Sequence, residues 1–385
     1  MKITRLEVVH VAPKYSFLKV HTSDEHIVGI GEACLEGKAR VVEAALREFS
    51  DYLVGQDPRR IEKIWHELYR GTFYPSGSIL ASAMSAVDQA LWDILGKHHD
   101  APVHALLGGA VRERIRLYQH VQVEDHGPFT LDQGERHIEL LTQRARQAAA
   151  DGFTMIKTAL PGPARQIESR AYVRWQGERF RALREAVGDD VDIAIDFHGR
   201  ATPDVALAVI QQIAEYQPMF VEEPCLPENV PAMARIAEKS PVPIATGERL
   251  FTRWQFRDVL ERGAASVLQP DLAHCGGISE GRKIAALGET YYAGFAPHNP
   301  LGPVNLAASV HLTATVPSFV AQEQQFLGEG VVATPFQVRD GYVELPTGPG
   351  LGMELLDRPQ DEPEFDGGWT LPTWRDHTDG GLLPW

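Results

Sequence analysis

Cysteine is scarce. The chain has 385 residues and three cysteines, Cys34, Cys225 and Cys275. An odd number at such wide spacing makes no disulfide framework, and the three form no metal-ligand pattern. Long apolar runs are missing too. No stretch reaches the length that crosses a bilayer. The start, "MKITRLEVVHV", lacks the apolar core of an export signal. The cytoplasm is the expected location, with no membrane partner. Basic residues are in deficit: 37 Lys and Arg against 52 Asp and Glu leave a formal charge of −15. A chain so acidic, with no basic run, is not built to hold nucleic acid. A small anion can still bind, because a metal or a few local cations offset the field. What is present is ordinary for a globular protein: 44% hydrophobic residues, enough for a sizeable core.

Residues 1–114 read as an α+β segment. The runs "ITRLEVVHV", "FLKVHTS" and "IVGIGEA" suit a short meander, and helical spacing follows at 38–54, 58–70 and 77–98. From residue 115 the rhythm changes. Eight short apolar runs alternate with helix-like stretches: 115–121, 153–160, 191–198, 219–225, 242–249, 265–272, 291–298 and 318–324. From the third onward they recur every ~23–28 residues, one strand plus one helix. Eight such units predict a closed (β/α)₈ barrel, an α/β fold of the TIM type, over residues 115–330. The segment 331–385 is rich in Gly, Pro and Trp and reads as irregular, packing back on the first segment.

Polar residues gather at the C-terminal ends of these runs, which form the active-site face of such a barrel. Lys157 ends the second run, Asp196 and His198 the third, Glu222 and Glu223 the fourth, and Glu248 the fifth. Asp271, His298 and Glu323 end the sixth, seventh and eighth. Asp196, Glu222 and Glu248 fall 26 residues apart. One acid alone could cap a helix or pair with an arginine. Three on adjacent strands repel one another unless a cation joins them, and oxygen ligands favour Mg²⁺, one per subunit. Strand alternation points Asp196 and His198 to one face and Phe197 to the other, and allows only one of Glu222 and Glu223 to face inward. Asp271 beside His298 would fix the imidazole tautomer and raise its basicity. His198 stands opposite His298 in a ring of eight. The alternative is that Asp196 and His198 supply two metal ligands, as in a binuclear hydrolase. That chemistry wants His-x-His on the first strand, where "QHVQ" supplies one His.

The helix "SAVDQALWDILGK" with "APVHALLGG", then "IDFHGR", "VEEP", "TGERL", "QPDLAHCGGI", "APHNPLGP" and "QEQ", resemble the mandelate racemase branch of the enolase superfamily in order and spacing. The resemblance covers essentially the whole chain. It implies an N-terminal capping domain completed by the C-terminal tail. Within the branch, "DFHGR" with "APHNPLGP" is most similar to enzymes that dehydrate D-galactonate to 2-dehydro-3-deoxy-D-galactonate.

The resemblance implies Asp196, Glu222 and Glu248 as Mg²⁺ ligands and His298 as general base with Asp271 as its partner. It implies His198, as imidazolium, for the general acid. Glu323, protonated, would hydrogen-bond the enolate-like intermediate. Where several relatives carry Lys-x-Lys, this chain has Lys157-Thr158-Ala159, so no second lysine acts as a base and Lys157 is left to neutralise a substrate carboxylate. A small sugar acid is the expected partner, and a homo-oligomer, octamer or smaller, the expected assembly. Loops 12–17 and 74–78 are candidates for closing over substrate, and Arg200 for meeting a hydroxyl or an acid. Other readings keep the scaffold: a D-gluconate or D-xylonate dehydratase, a C2 epimerase using two histidines, or a non-catalytic sugar-acid binder.

Overall fold

The computed structural model describes residues 1–75, 77–123, 134–357, 365, 367, 374–376 and 379–383. The chain opens with an antiparallel sheet of β1 (Ile3–Val11), β2 (Tyr15–Thr22) and β3 (Val28–Glu32) in that order. Three helices follow: α1 (Ala39–Leu53), α2 (Ile61–Arg70) and α3 (Ser78–His98), then the short α4 (Val103–Leu106). α3 is buried on nearly every side. Its apolar residues pack on the sheet, at a closeness only glycine permits. A Cβ on Gly29 would stand 2.2 Å from the Ala90 carbonyl oxygen, and one on Gly31 2.0 Å from that of Ala86.

The same helix carries Ser85, Asp88, Gln89 and Asp93, all buried. Each finds a hydrogen-bond partner across a junction. Ser85 accepts from Gly276 N–H, Asp88 from Ser279 N–H and Asp93 from Leu351 N–H, while Gln89 donates to the Leu272 carbonyl. Buried polar groups must find partners, so this pattern ties the first unit to the loops that follow.

The larger sheet is parallel, in the order β11-β10-β9-β8-β7-β6-β5. Its strands are β5 (Gln119–His120), β6 (Met155–Ala159), β7 (Asp192–Asp196), β8 (Val221–Glu222), β9 (Ile244–Thr246), β10 (Val267–Leu268) and β11 (Gly294–Phe295). The run at 318–324 forms no regular strand, yet it closes the ring. Phe319 bridges Phe295 and Gln322 bridges Leu117, with Val320 N–H on the Phe295 carbonyl and Tyr118 N–H on the Gln322 carbonyl. One interior cluster takes a side chain from each of the eight runs: Tyr118, Met155, Ala194, Phe220, Ala245, Val267, Ala296 and Ala321. Small residues offset large ones, which lets side chains fill a closed barrel.

Helices α5 (Gly134–Ala150), α6 (Arg170–Val187), α7 (Pro203–Ile213), α8 (Val230–Lys239), α9 (Thr252–Glu261), α10 (Gly277–Glu289) and α11 (Pro303–Thr313) surround the sheet. Ser169, Thr202 and Asn229 cap α6, α7 and α8 through their side chains, which sets where each strand-end loop stops.

The first run differs from its sequence reading. Its start, β4 (Arg114–Arg116), pairs antiparallel with β12 (Tyr342–Glu344) of the tail, and only its end joins the barrel. Further on, the tail meets α3 through Leu351 and an ion pair of Glu354 with Lys97 at 2.8 Å. No described helix is long and apolar enough to cross a membrane.

Candidate active site

Asp196 and Glu222 end β7 and β8 as register partners, and Glu248 follows β9 by two residues. One oxygen from each lies within 4.8 Å of the others. Glu222 Oε1 and Glu248 Oε2 are buried with no hydrogen-bond partner among the described residues. Burial first, then the neighbouring acids, push Glu222 far above the usual carboxylate range. Burial likewise takes Glu248 to about 8, against the pull of His298. Asp196 stays low, since His198 and Lys157 outweigh its burial. Orphaned, mutually repelling oxygens with no thiolate among them fit a hard divalent cation. Glu223 turns away at φ +40°, where it pairs with Arg249 at 2.6 Å.

Lys157 lies under this cluster. Its Nζ is 2.7 Å from Glu222, 3.0 Å from Glu323 and 3.5 Å from Asp196, and 5.2 Å over the Tyr118 ring. These partners raise its pKa well above normal in spite of burial. In the structure Lys157 neutralises the site's own acids. Glu323 corrects an expectation. Lys157, His298 and His120 overcome its burial and hold it far below the usual range, so it is ionised rather than protonated. His120 Nε2 stands 2.7 Å away, and Asn299 N–H donates to its other oxygen at 2.9 Å. His120 was not singled out from the sequence. Its neighbour Gln119 and the rest of "QHVQ" offer no signal beyond a strand end.

His298 Nδ1 meets Asp271 Oδ2 at 2.8 Å. The other oxygen of Asp271 accepts from Ala273 N–H at 2.7 Å and from the Asn305 amide at 2.9 Å. With Nδ1 so engaged, Nε2 faces Glu248 at 3.4 Å and Glu323 at 3.7 Å. Burial disfavours the charged ring, but Glu248, Glu323 and Asp271 raise its pKa well above normal. Asn305 is itself held from the capping side, because Gln89 donates to its side-chain oxygen.

His198 reaches its place by a different route than strand alternation. β7 stops at Asp196, and His198 has φ +50°. Its N–H donates to Asp196 Oδ1 at 2.7 Å, and its Nε2 lies 3.1 Å from Oδ2. A turn closed by the aspartate side chain, not the pleat, brings the two together. The expected imidazolium is also corrected. Burial lowers its pKa to about 4 against the attraction of Asp196, and Arg200 and Lys157 lower it further. Its Nδ1 is buried without a hydrogen-bond partner among the described residues.

His198, Glu248 and His298 line one cavity of about 850 Å³. Lys14 and Tyr15 reach it from the β1–β2 turn, so loop 12–17 contributes to its wall. Of loop 74–78, Ser78 lines it, Pro75 belongs to a separate surface hollow beside Trp254, and Ser76 lies outside the described residues. Arg200 lines the cavity and donates to the Leu160 carbonyl at 3.0 Å. Glu36 and His274 also line it. Their only sequence signal was an acid and an imidazole in loops just past a strand.

Residues 5–108 match the mandelate racemase / muconate lactonizing enzyme N-terminal domain, and residues 140–359 match the enolase C-terminal domain-like family. The chain is 41% identical to the D-galactonate dehydratase of Ralstonia nicotianae and 41% identical to that of Xanthomonas euvesicatoria pv. vesicatoria, with 100% of both chains covered in each case. Among solved structures, a mandelate racemase/muconate lactonizing enzyme from Sulfitobacter sp superposes with a TM-score of 0.85 at 34% identity, over 92% of this chain and 93% of that one. A member of the enolase superfamily from Salmonella Typhimurium gives 0.83 at 31% identity, over 92% and 96%.

Proposed function

The chain belongs to the mandelate racemase / muconate lactonizing enzyme family of the enolase superfamily, and from that premise we propose that it is a Mg²⁺-dependent hydro-lyase of sugar acids. The names of its full-length relatives point to D-galactonate as substrate, whose dehydration gives 2-dehydro-3-deoxy-D-galactonate. The observation that carries the reading is His298. Its Nδ1 is tied to Asp271, and its Nε2 is turned toward the carboxylate cluster.

Asp196, Glu222 and Glu248 would hold the Mg²⁺. When bound, the ion supplies a Lewis acid that offsets charge developing on the substrate carboxylate as its α-proton leaves. His298 Nε2 takes the C2 proton, and Asp271 stabilises the imidazolium that results. His198 gives a proton to the C3 hydroxyl, which departs as water. The enol gains a proton at C3 and becomes the 2-keto-3-deoxy acid. An anionic substrate beside His198 raises the proton affinity that burial has lowered. Glu323, ionised, anchors Lys157 and the main chain at Asn299. Each acid–base group supplies about 10²–10⁴-fold in rate.

Ala159, in register with Asp196, offers no proton, which disfavours a racemase that depends on a lysine there. The test is a library of aldonic acids with Mg²⁺, read by 2-keto acid formation. Turnover of D-galactonate supports the proposal. Inversion at C2 without loss of water would make it an epimerase, and no turnover of any member would overturn the dehydratase.

A further inference from the structure

Glu36 and His274 belong to neither the carboxylate cluster nor the Asp271–His298 pair, yet both line the cavity. Glu36 lies in the loop between β3 and α1, so the N-terminal unit delivers it. His274 lies in the loop after β10. Its Nδ1 is 2.9 Å from the Ser82 hydroxyl on α3. Its Nε2 is 3.6 Å from Glu36 Oε2 and 3.9 Å from Asp271 Oδ2. The imidazole is thus wedged between two carboxylates and a helix, with its side chain 4% exposed, while Glu36 keeps 35%.

His274 is the only side-chain partner of Glu36 among the described residues. Burial alone would raise the Glu36 carboxyl. The nearby imidazole of His274, 3.6 Å away, with His298 beyond, outweighs it and holds the group at about 2. Glu36 is therefore an anion at neutral pH, and its oxygens only accept hydrogen bonds.

We propose that Glu36 is a specificity-determining residue: it accepts hydrogen bonds from hydroxyls of the bound sugar acid and repels a second carboxylate, so monoacids are taken over diacids. The proposal rests on the reading of this cavity as a sugar-acid site. A hydroxyl donating to a carboxylate makes a strong, charge-assisted bond. Two carboxylates brought together in a half-enclosed cavity repel, and such a clash is an effective device of selection. The cations that line the cavity are already engaged: Lys14 Nζ with the Pro300 carbonyl at 3.4 Å, Arg200 with the Leu160 carbonyl at 3.0 Å and Arg249 with Glu223 at 2.6 Å. His274 acts as a positioning residue for Glu36.

The experiment compares full-length wild type with Glu36→Gln, with Mg²⁺, on D-galactonate and on galactarate. The two acids share configuration at C2 to C5, and galactarate carries a second carboxylate. In the variant, KM for D-galactonate should rise about tenfold, more than kcat falls. The kcat/KM preference for the monoacid should fall about tenfold or more. His274→Gln should move the same ratio in the same direction, and it stands in should Glu36→Gln fail to fold. An unchanged preference overturns the proposal. Wild-type protein that turns over neither acid refutes the D-galactonate reading instead. Calorimetric binding of the two acids then decides the role of Glu36, and equal discrimination by wild type and variant overturns it.

Discussion

His298 Nδ1 stands 2.8 Å from Asp271 Oδ2, across 27 residues of chain. The contact is reinforced on its far side. Asn305 and the Ala273 amide occupy the other carboxylate oxygen, and Gln89 of the N-terminal unit holds Asn305. The orientation of one imidazole therefore depends on a helix from another part of the fold.

Asp271→Asn keeps the size of the side chain but can present an amide donor to Nδ1, which selects the wrong tautomer. The expected result is a loss of about 10²–10⁴-fold in kcat, followed by 2-keto acid formation. Asp271 is also among the charges that raise the His298 pKa. Its removal should move the acid limb of the residual kcat/KM profile to lower pH. A variant within threefold of wild type would remove the pair from the mechanism.

His198→Asn separates proton removal from hydroxyl loss. With His298 intact, deuterium from D₂O should still enter C2 of D-galactonate, seen by NMR, while 2-keto acid formation falls about 10²-fold or more. Calorimetric Mg²⁺ affinity should stay near wild type. Lost Mg²⁺ binding would instead make His198 a metal ligand.

Lys157→Met leaves three buried acids without their shared cation. Removing one member of a buried charge cluster costs about 3–5 kcal/mol, here read by urea unfolding in a chelator. Mg²⁺ should restore part of that loss. For wild type, Mg²⁺ at a hundred times its Kd should add about 2.7 kcal/mol, reversed by chelation. Identical unfolding curves with and without Mg²⁺ would argue against the Asp196–Glu222–Glu248 site.

His311, fully buried on α11, accepts from the His104 N–H at 3.2 Å. Burial, with the charge of His104, lowers its pKa to about 3. An unfolded histidine near 6.5 takes up its proton first, so the folded state loses stability as pH falls from about 6.5 toward 3. The contribution is whole above that window and changes by at most about 1.4 kcal/mol per pH unit. His311→Asn should flatten the curve between pH 6.5 and 4 relative to wild type, measured by urea unfolding at a series of pH values. Parallel curves would show that His311 does not titrate there.

Much of the barrel was legible because its signal is local. Each strand run is a few apolar residues, and each helix has its own period and cap. The convergence of Asp196, Glu222 and Glu248 followed from equal spacing on neighbouring strands, a regularity the βα repeat imposes. The division of 115–121 between two sheets was not legible. It depends on pairing with Tyr342–Glu344, more than two hundred residues away, and nothing within the run marks the break.

The sequence by itself determined which residues stand at the strand ends, because strand and helix lengths set that rhythm without reference to distant contacts. Only the tertiary structure decided how those residues are charged and aimed. His198 is turned by a positive φ and a bond to Asp196, and burial leaves it neutral. Glu323 is ionised because Lys157 and His120 reach it from β6 and β5. Glu36 enters the cavity because α3 docks against the loop that carries His274. Burial and charge–charge distance control proton affinity, and both come into being only when separate parts of the chain meet.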